Sequence, residues 1–142
     1  MLEITESRVM KDIRAVLDVL TRLCLKGFSL SIDDFGTGHS SLSQLRDLPF
    51  SQLKIDRSFV HGAHENSTTR TIYTSSLAMG KELNLEIVAE GVETIEDWEF
   101  LKRTGCDVAQ GYFIARPMPA EDLPGWLCGW SDRVLRELSN PH

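Results

Sequence analysis

Five short runs of alternating apolar and polar residues recur along the 142-residue sequence, and a helix-length stretch separates most of them. The runs occupy residues 2–5, 28–33, 52–56, 85–90 and 107–112. Strands spaced by whole helices cannot close as hairpins, so they pair in parallel through right-handed crossovers. The pattern therefore predicts an α/β fold. Val9, Ile13, Val16, Leu17, Leu20, Leu23 and Cys24 repeat at helical spacing and stop at Gly27, which tolerates the left-handed terminating conformation. A loop over 36–41 and a short helix over 42–48, stopped by Pro49, follow the second run. Residues 68–83 read as a helix with Asn66 or Ser67 near its cap, and Thr94 with Asp97 reads as a capping box for a helix through Lys102, closed by Gly105. Beyond Pro119, a short helix over 122–127 broken by Pro124 and a second over 132–138 are expected. Residues 62–69 are polar and aperiodic, the candidate mobile segment.

The length fits one domain over residues 1–142, and 42% apolar with 25% charged residues is ordinary globular usage. A net charge of −6 with scattered basic residues excludes the electrostatic footprint of a duplex nucleic-acid binder, so a phosphate ligand needs cations as intermediaries. Cys24, Cys106 and Cys128 form no C-x-x-C pair and read as buried, reduced thiols. The first residues lack a basic, then apolar, leader, and no run approaches a membrane span, which predicts no membrane association and a bacterial-type cytoplasm.

Aligning the five runs puts Leu2, Ile4, Leu30, Ile32, Leu53, Ile55, Ile87 and Ala89 on one face, toward the helices. The other face then carries Glu3, Asp33, Lys54 with Asp56, Glu90 and Gln110, each near the carboxyl end of its run. In parallel sheets and (β/α) barrels those ends converge on the ligand crevice. Carboxylates gathered there repel unless they bind protons or cations, and an all-oxygen donor set suits Mg²⁺ or Mn²⁺. The adjacent pair Asp33-Asp34 is suited to bridge two ions and hold an attacking water for in-line displacement at phosphorus. Glu6 and Glu93 have two readings: site acids, or acids that open the following helix.

Gly36 and Gly38 follow a strand and precede a helix, as in a dinucleotide fingerprint, but the third glycine is absent and Asp33-Asp34 would repel a pyrophosphate. Asp34-Phe35-Gly36 has the letters of a kinase triplet without its H-R-D partner. A flexible loop beside a metal site accounts for these glycines better. His61, His64 and His142 show no ligand spacing and read as surface residues, and Trp98, Trp126 and Trp130 read as packing residues.

Five ordered motifs resemble one family: Leu2-Glu3-Ile4-Thr5-Glu6-Ser7, Ile32-Asp33-Asp34-Phe35-Gly36-Thr37-Gly38, Leu53-Lys54-Ile55-Asp56-Arg57-Ser58-Phe59, Val88-Ala89-Glu90-Gly91-Val92-Glu93-Thr94 and Gln110-Gly111-Tyr112. They are similar to the EAL-domain phosphodiesterases of bacterial cyclic di-GMP signalling, over residues 2–127, with 128–142 a C-terminal tail. The resemblance implies a partial (β/α)₈ TIM-like barrel of about five strands and metal-dependent hydrolysis of cyclic di-GMP to pGpG. It implies Glu3, Asp33, Asp34 and Glu90 as metal ligands, with Asp33 shared between two ions. Lys54 would position or polarise the attacking water, with Glu90 serving that water as well. Gln110, Asp56, Glu93 and the loop residues Gly36, Thr37 and Gly38 would support the site, and Glu6 would tether that loop. His39 stands where the family varies and takes no role.

No Glu-Ala-Leu tripeptide occurs in the sequence, nor does the family's asparagine ligand motif, and both are expected upstream of Met1. An N-terminally truncated domain of this lineage has two functional readings: a phosphodiesterase, or a weakly active or inactive module that binds cyclic di-GMP or another protein. An open barrel also predicts unpaired strand edges, covered by a homodimer or by another EAL-type chain.

Overall fold

The computed structural model describes residues 1–9, 13–36 and 45–138. Strands β1 (Leu2–Thr5), β2 (Leu30–Phe35), β3 (Gln52–Ile55), β4 (Glu86–Glu90) and β5 (Val108–Gln110) form one sheet in chain order. Every neighbouring pair is parallel, as the helix-spaced runs require. The helices that return the chain are α1 (Glu6–Val9), α2 (Ile13–Leu25), α3 (Arg57–Val60), α4 (Ser67–Glu82) and α5 (Ile95–Thr104), with α6 (Leu123–Arg133) in the tail.

The core lies between the sheet and these helices. Leu30, Ile32, Leu53, Ile55, Ile87 and Ala89 are fully buried, and Val60, Tyr73, Leu77, Phe100 and Leu101 meet them from the helical layer. Leu2 and Ile4, on the same face of the edge strand β1, are less covered, Leu2 remaining 37% exposed. A terminal strand in the sheet order has one neighbour, so its apolar face meets fewer helices.

Local signals in the sequence explain most boundaries. Asn66 caps α4 by accepting from the amides of Thr68 and Thr69 at 2.9 and 3.0 Å. Thr94 and Asp97 complete the capping box of α5, and Gly105 ends it at φ +71°. Gly27, at φ +84°, closes α2, and the amide of Phe28 reaches back to the carbonyl of Leu23.

Several expectations are corrected. Residues 62–69 are not loose: Asp97 accepts from the Gly62 amide, and the Arg70 guanidinium donates to the carbonyls of Ala63 and His64. Pro124 does not break a tail helix but sits in the first turn of α6, where its missing N–H costs nothing. The helix runs to Arg133 and continues as a π-helical turn, Val134–Leu138. Aromatic packing anchors this tail, because Trp130 meets both Trp98 and Phe113 edge-on at ring separations of 5.8 and 6.4 Å. Cys24 and Cys106 are half-buried but Cys128 is exposed on α6; all three are free thiols. Residues 42–44 of the helix expected over 42–48 lie outside the described residues; Leu45 and Arg46 are helical, and Leu45 and Leu48 are buried.

Candidate functional site

Parallel pairing fixes which side chains share the inner face of the sheet. Lys54 lies opposite Val88 in the β3–β4 ladder, and Glu90 lies opposite Gln110 in the β4–β5 ladder. Glu3 lies opposite Ser31, two residues before Asp33 on the same face of β2. The carboxyl ends of four adjacent strands therefore converge on the Lys54 ammonium.

Lys54 is the centre of the arrangement. Its side chain is 7% exposed, and Nζ lies 2.6 Å from Glu90 Oε1, 2.7 Å from Glu3 Oε1 and 3.9 Å from Asp33 Oδ1. Burial alone would lower its pKa, but the hydrogen bonds and charges of Glu3 and Glu90 outweigh it and raise the value above that of an ordinary lysine. Lys54 is thus an ammonium throughout the physiological range, a donor and positive charge rather than a base.

Asp33, Asp34 and Glu90 bring carboxylate oxygens within 4.8 Å of one another, each half-buried. Strict alternation cannot put neighbours Asp33 and Asp34 on one face. Here the β2–β3 register shifts between Ile32 and Phe35, and Asp34 adopts φ +55°, a left-handed conformation uncommon outside glycine. The Asp34 amide donates to Asp33 Oδ1 at 3.0 Å, closing the bulge on itself. Burial, then the charges of Asp33 and Asp56, push the Asp34 pKa upward against the counteracting Lys54. Three close carboxylates exceed the charge of one ammonium, and their all-oxygen chemistry fits a divalent cation such as Mg²⁺ or Mn²⁺.

The remaining predicted residues separate into neighbours and supports. Glu3 lies on Lys54, outside the three-carboxylate group. Glu6 is buried at the start of α1 and accepts from the Gly36 amide at 3.1 Å, joining β1 to the glycine loop. Asp56 stands one residue past β3 and caps α3, accepting from the amide and hydroxyl of Ser58. Glu93 receives Arg57 Nη2 at 2.7 Å, and Gln110 is exposed on the edge strand, its carbonyl accepting from Val92. Thr37, Gly38 and His39 lie outside the described residues.

Two features escaped the reading of the sequence. Arg57 bridges to Glu93 and lines a cleft of about 280 Å³ with Glu90, Gln110 and Tyr112; an arginine in a helix-starting position gives no pattern signal for this. Asp97, legible as a capping residue, also receives His61 from another segment, a contact no local spacing reveals.

The five parallel strands with flanking helices, their carboxyl ends converging on one acidic centre, define a chain of the (β/α)-barrel type, seen here over five strands. The sequence matches the EAL domain over residues 1–117, and the chain belongs to that family. It is 52% identical over 122 residues to the bifunctional diguanylate cyclase/cyclic di-GMP phosphodiesterase MucR of Pseudomonas aeruginosa, covering 86% of this chain and 18% of MucR. The solved MucR phosphodiesterase in complex with cyclic di-GMP superimposes with a TM-score of 0.82, over 86% of this chain and 49% of that one. Klebsiella pneumoniae BlrP1, solved with manganese and cyclic di-GMP, matches at 36% identity with a TM-score of 0.74, over 81% of this chain and 29% of that one. The chain therefore spans about half of the solved MucR chain and under a fifth of the whole protein. Among the described residues, no helix is long and apolar enough to cross a membrane.

Proposed function

We propose that this chain carries the larger part of a cyclic di-GMP phosphodiesterase site that uses Mg²⁺ or Mn²⁺ and yields linear pGpG. The observation that carries the reading is the half-buried group Asp33, Asp34 and Glu90 around the Lys54 ammonium. Asp33, Asp34 and Glu90 would hold the cations, with Asp33 shared and Glu3 joining from β1. Bound there, two divalent ions would supply charge neutralisation and a more acidic water.

The chain's own residues do the rest. An ammonium has three N–H donors, and the two short contacts to Glu3 and Glu90 leave one for a water or phosphoryl oxygen beside Asp33. Glu90, already hydrogen-bonded, is placed to accept a proton from that water. In the hydrolysis a water oxygen bonds to phosphorus as its proton passes to Glu90, the opposite P–O bond breaks, and the departing sugar oxygen takes up a proton from solvent while Glu90 later releases its own. Glu6 fixes the glycine loop, while Arg57, Glu93 and Gln110 form the cleft in which an extended dinucleotide would lie.

A second reading, nucleotide binding without turnover, is favoured by Glu3, which lies on Lys54 and outside the group of three carboxylates. Chromatography of cyclic di-GMP incubated with the folded chain and Mn²⁺ separates the two. The phosphodiesterase reading predicts accumulation of pGpG, abolished by Asp33→Asn; no pGpG with calorimetrically detectable binding selects the second.

A further inference from the structure

The Asp97 carboxylate does more than cap α5. A capping-box acid needs only to accept the amide of its cap residue. Asp97 is fully buried and accepts from Thr94 at 3.3 Å, from Glu93 at 3.3 Å, from the Gly62 amide at 3.0 Å and from His61 Nδ1 at 2.9 Å. The first two donors belong to the segment leaving β4, three and four residues beyond Glu90. The other two belong to the segment leaving β3, directly after the helix that carries Arg57. One carboxylate thus joins the exits of the two strands that bear Lys54 and Glu90.

The same two exits meet once more at the rim of the cleft. Arg57 and Glu93 pair at 2.7 Å, and Gly91, at φ +73°, lies so close beneath Arg57 that an added Cβ would fall 2.2 Å from its Cγ. The Arg57 side chain remains 63% exposed, so its own contacts do not hold it rigidly. Beyond the β3–β4 ladder, which pairs Ile55 with Ala89, the junction at Asp97 ties together the two segments that carry Arg57 and Glu93.

We infer that Asp97, with His61 as its partner, is a positioning residue that sets Arg57 against Glu93 and so shapes the nucleotide cleft beside the cation site. The inference rests on the functional reading above and adds to it a residue pair outside the carboxylate centre. Asp33 and Glu90 are held by strand pairing with Thr5 and Gln110, and Asp34 by the bulge of β2, so the Asp97–His61 pair acts on nucleotide binding and leaves cation binding alone.

The test compares the parent chain with Asp97→Asn, His61→Ala and His61→Asn, titrating Mn²⁺ by paramagnetic resonance and cyclic di-GMP by calorimetry in a Ca²⁺ buffer. The expected result is a dissociation constant for cyclic di-GMP raised about tenfold in Asp97→Asn and His61→Ala, the scale of losing a supporting hydrogen bond at a site. Mn²⁺ affinity stays within about twofold, and His61→Asn, which restores an N–H donor near the Nδ1 position, recovers nucleotide binding. If Asp97→Asn fails to fold, the two variants of half-exposed His61 decide the matter. Variants that bind the nucleotide like the parent overturn the inference, as does a loss in which Mn²⁺ affinity falls equally and Asn at 61 rescues nothing. A parent that binds Mn²⁺ but not cyclic di-GMP overturns the functional reading, and the positioning role with it.

Discussion

Lys54 is the residue on which the site's electrostatics turn. Its raised pKa means that the folded state gains from its charge at all pH values below the ordinary lysine range, and loses that gain as pH climbs through the raised value. Lys54→Met leaves the half-exposed Glu3 and the more buried Glu90 without their counter-charge, which is expected to cost about 1–3 kcal/mol. Activity should fall about a hundredfold or more, the scale of losing one placed donor. Chemical denaturation and pGpG formation measure the two effects, and Lys54→Arg, larger and differently forked, should restore stability more than turnover. Asp97 has the opposite sign. Burial would raise its pKa, but the Gly62 amide, His61 and the Glu93 amide outweigh burial and hold it below the usual aspartate value. Its contribution is therefore present above the ordinary carboxylate range and lost as pH falls through the lowered value. Thermal melts between pH 7 and pH 3 should show a shallower acid decline in Asp97→Asn than in the parent, from a lower starting temperature.

At the scale of elements, strand positions were readable because parallel strands separated by helices leave a period that hairpin-built sheets do not, and because Gly27, Asn66, Thr94 and Gly105 punctuate them chemically. The bulge in β2 was not readable. Alternation puts Asp34 opposite Asp33, and only a left-handed residue with a shifted register gathers both. Asp34→Gly removes that backbone cost of about 1–2 kcal/mol and the repulsion from Asp33 and Asp56. It should leave the melting temperature unchanged or raised while weakening Mn²⁺ binding at least tenfold, a separation that calorimetry of both quantities reveals. At the exit of β5, a Cβ on Gly111 would lie 2.2 Å from the Val92 carbonyl oxygen, and neither backbone can yield cheaply. Gly111→Ala should destabilise the fold by about 1–3 kcal/mol and disturb the neighbouring Gln110.

Over the whole molecule, the sheet ends in β1 and β5, each with a single neighbour among the described residues, and apolar side chains gather beside both. Ile4, Val16, Val19, Leu20 and Leu23 line a groove near β1; Trp98, Leu101, Val108, Ile114 and Trp130 line another near β5. We propose that a second copy of the chain covers these edges, as expected of unpaired strands. Sedimentation at micromolar concentration should then show association, and a folded, strictly monomeric species would contradict it. The convergence of charges from β1 to β4 was legible because a parallel sheet sends all its carboxyl ends one way. The loop-to-loop contacts of Arg57 and Asp97 were not, since tertiary packing alone creates them. The central claim is that these carboxylates, balanced by Lys54, form a cation site. A Mn²⁺ titration followed by paramagnetic resonance tests it most directly: the parent chain should bind saturably and Asp33→Asn at least tenfold more weakly, whereas equal binding by the two, or none by the folded parent, would contradict the account.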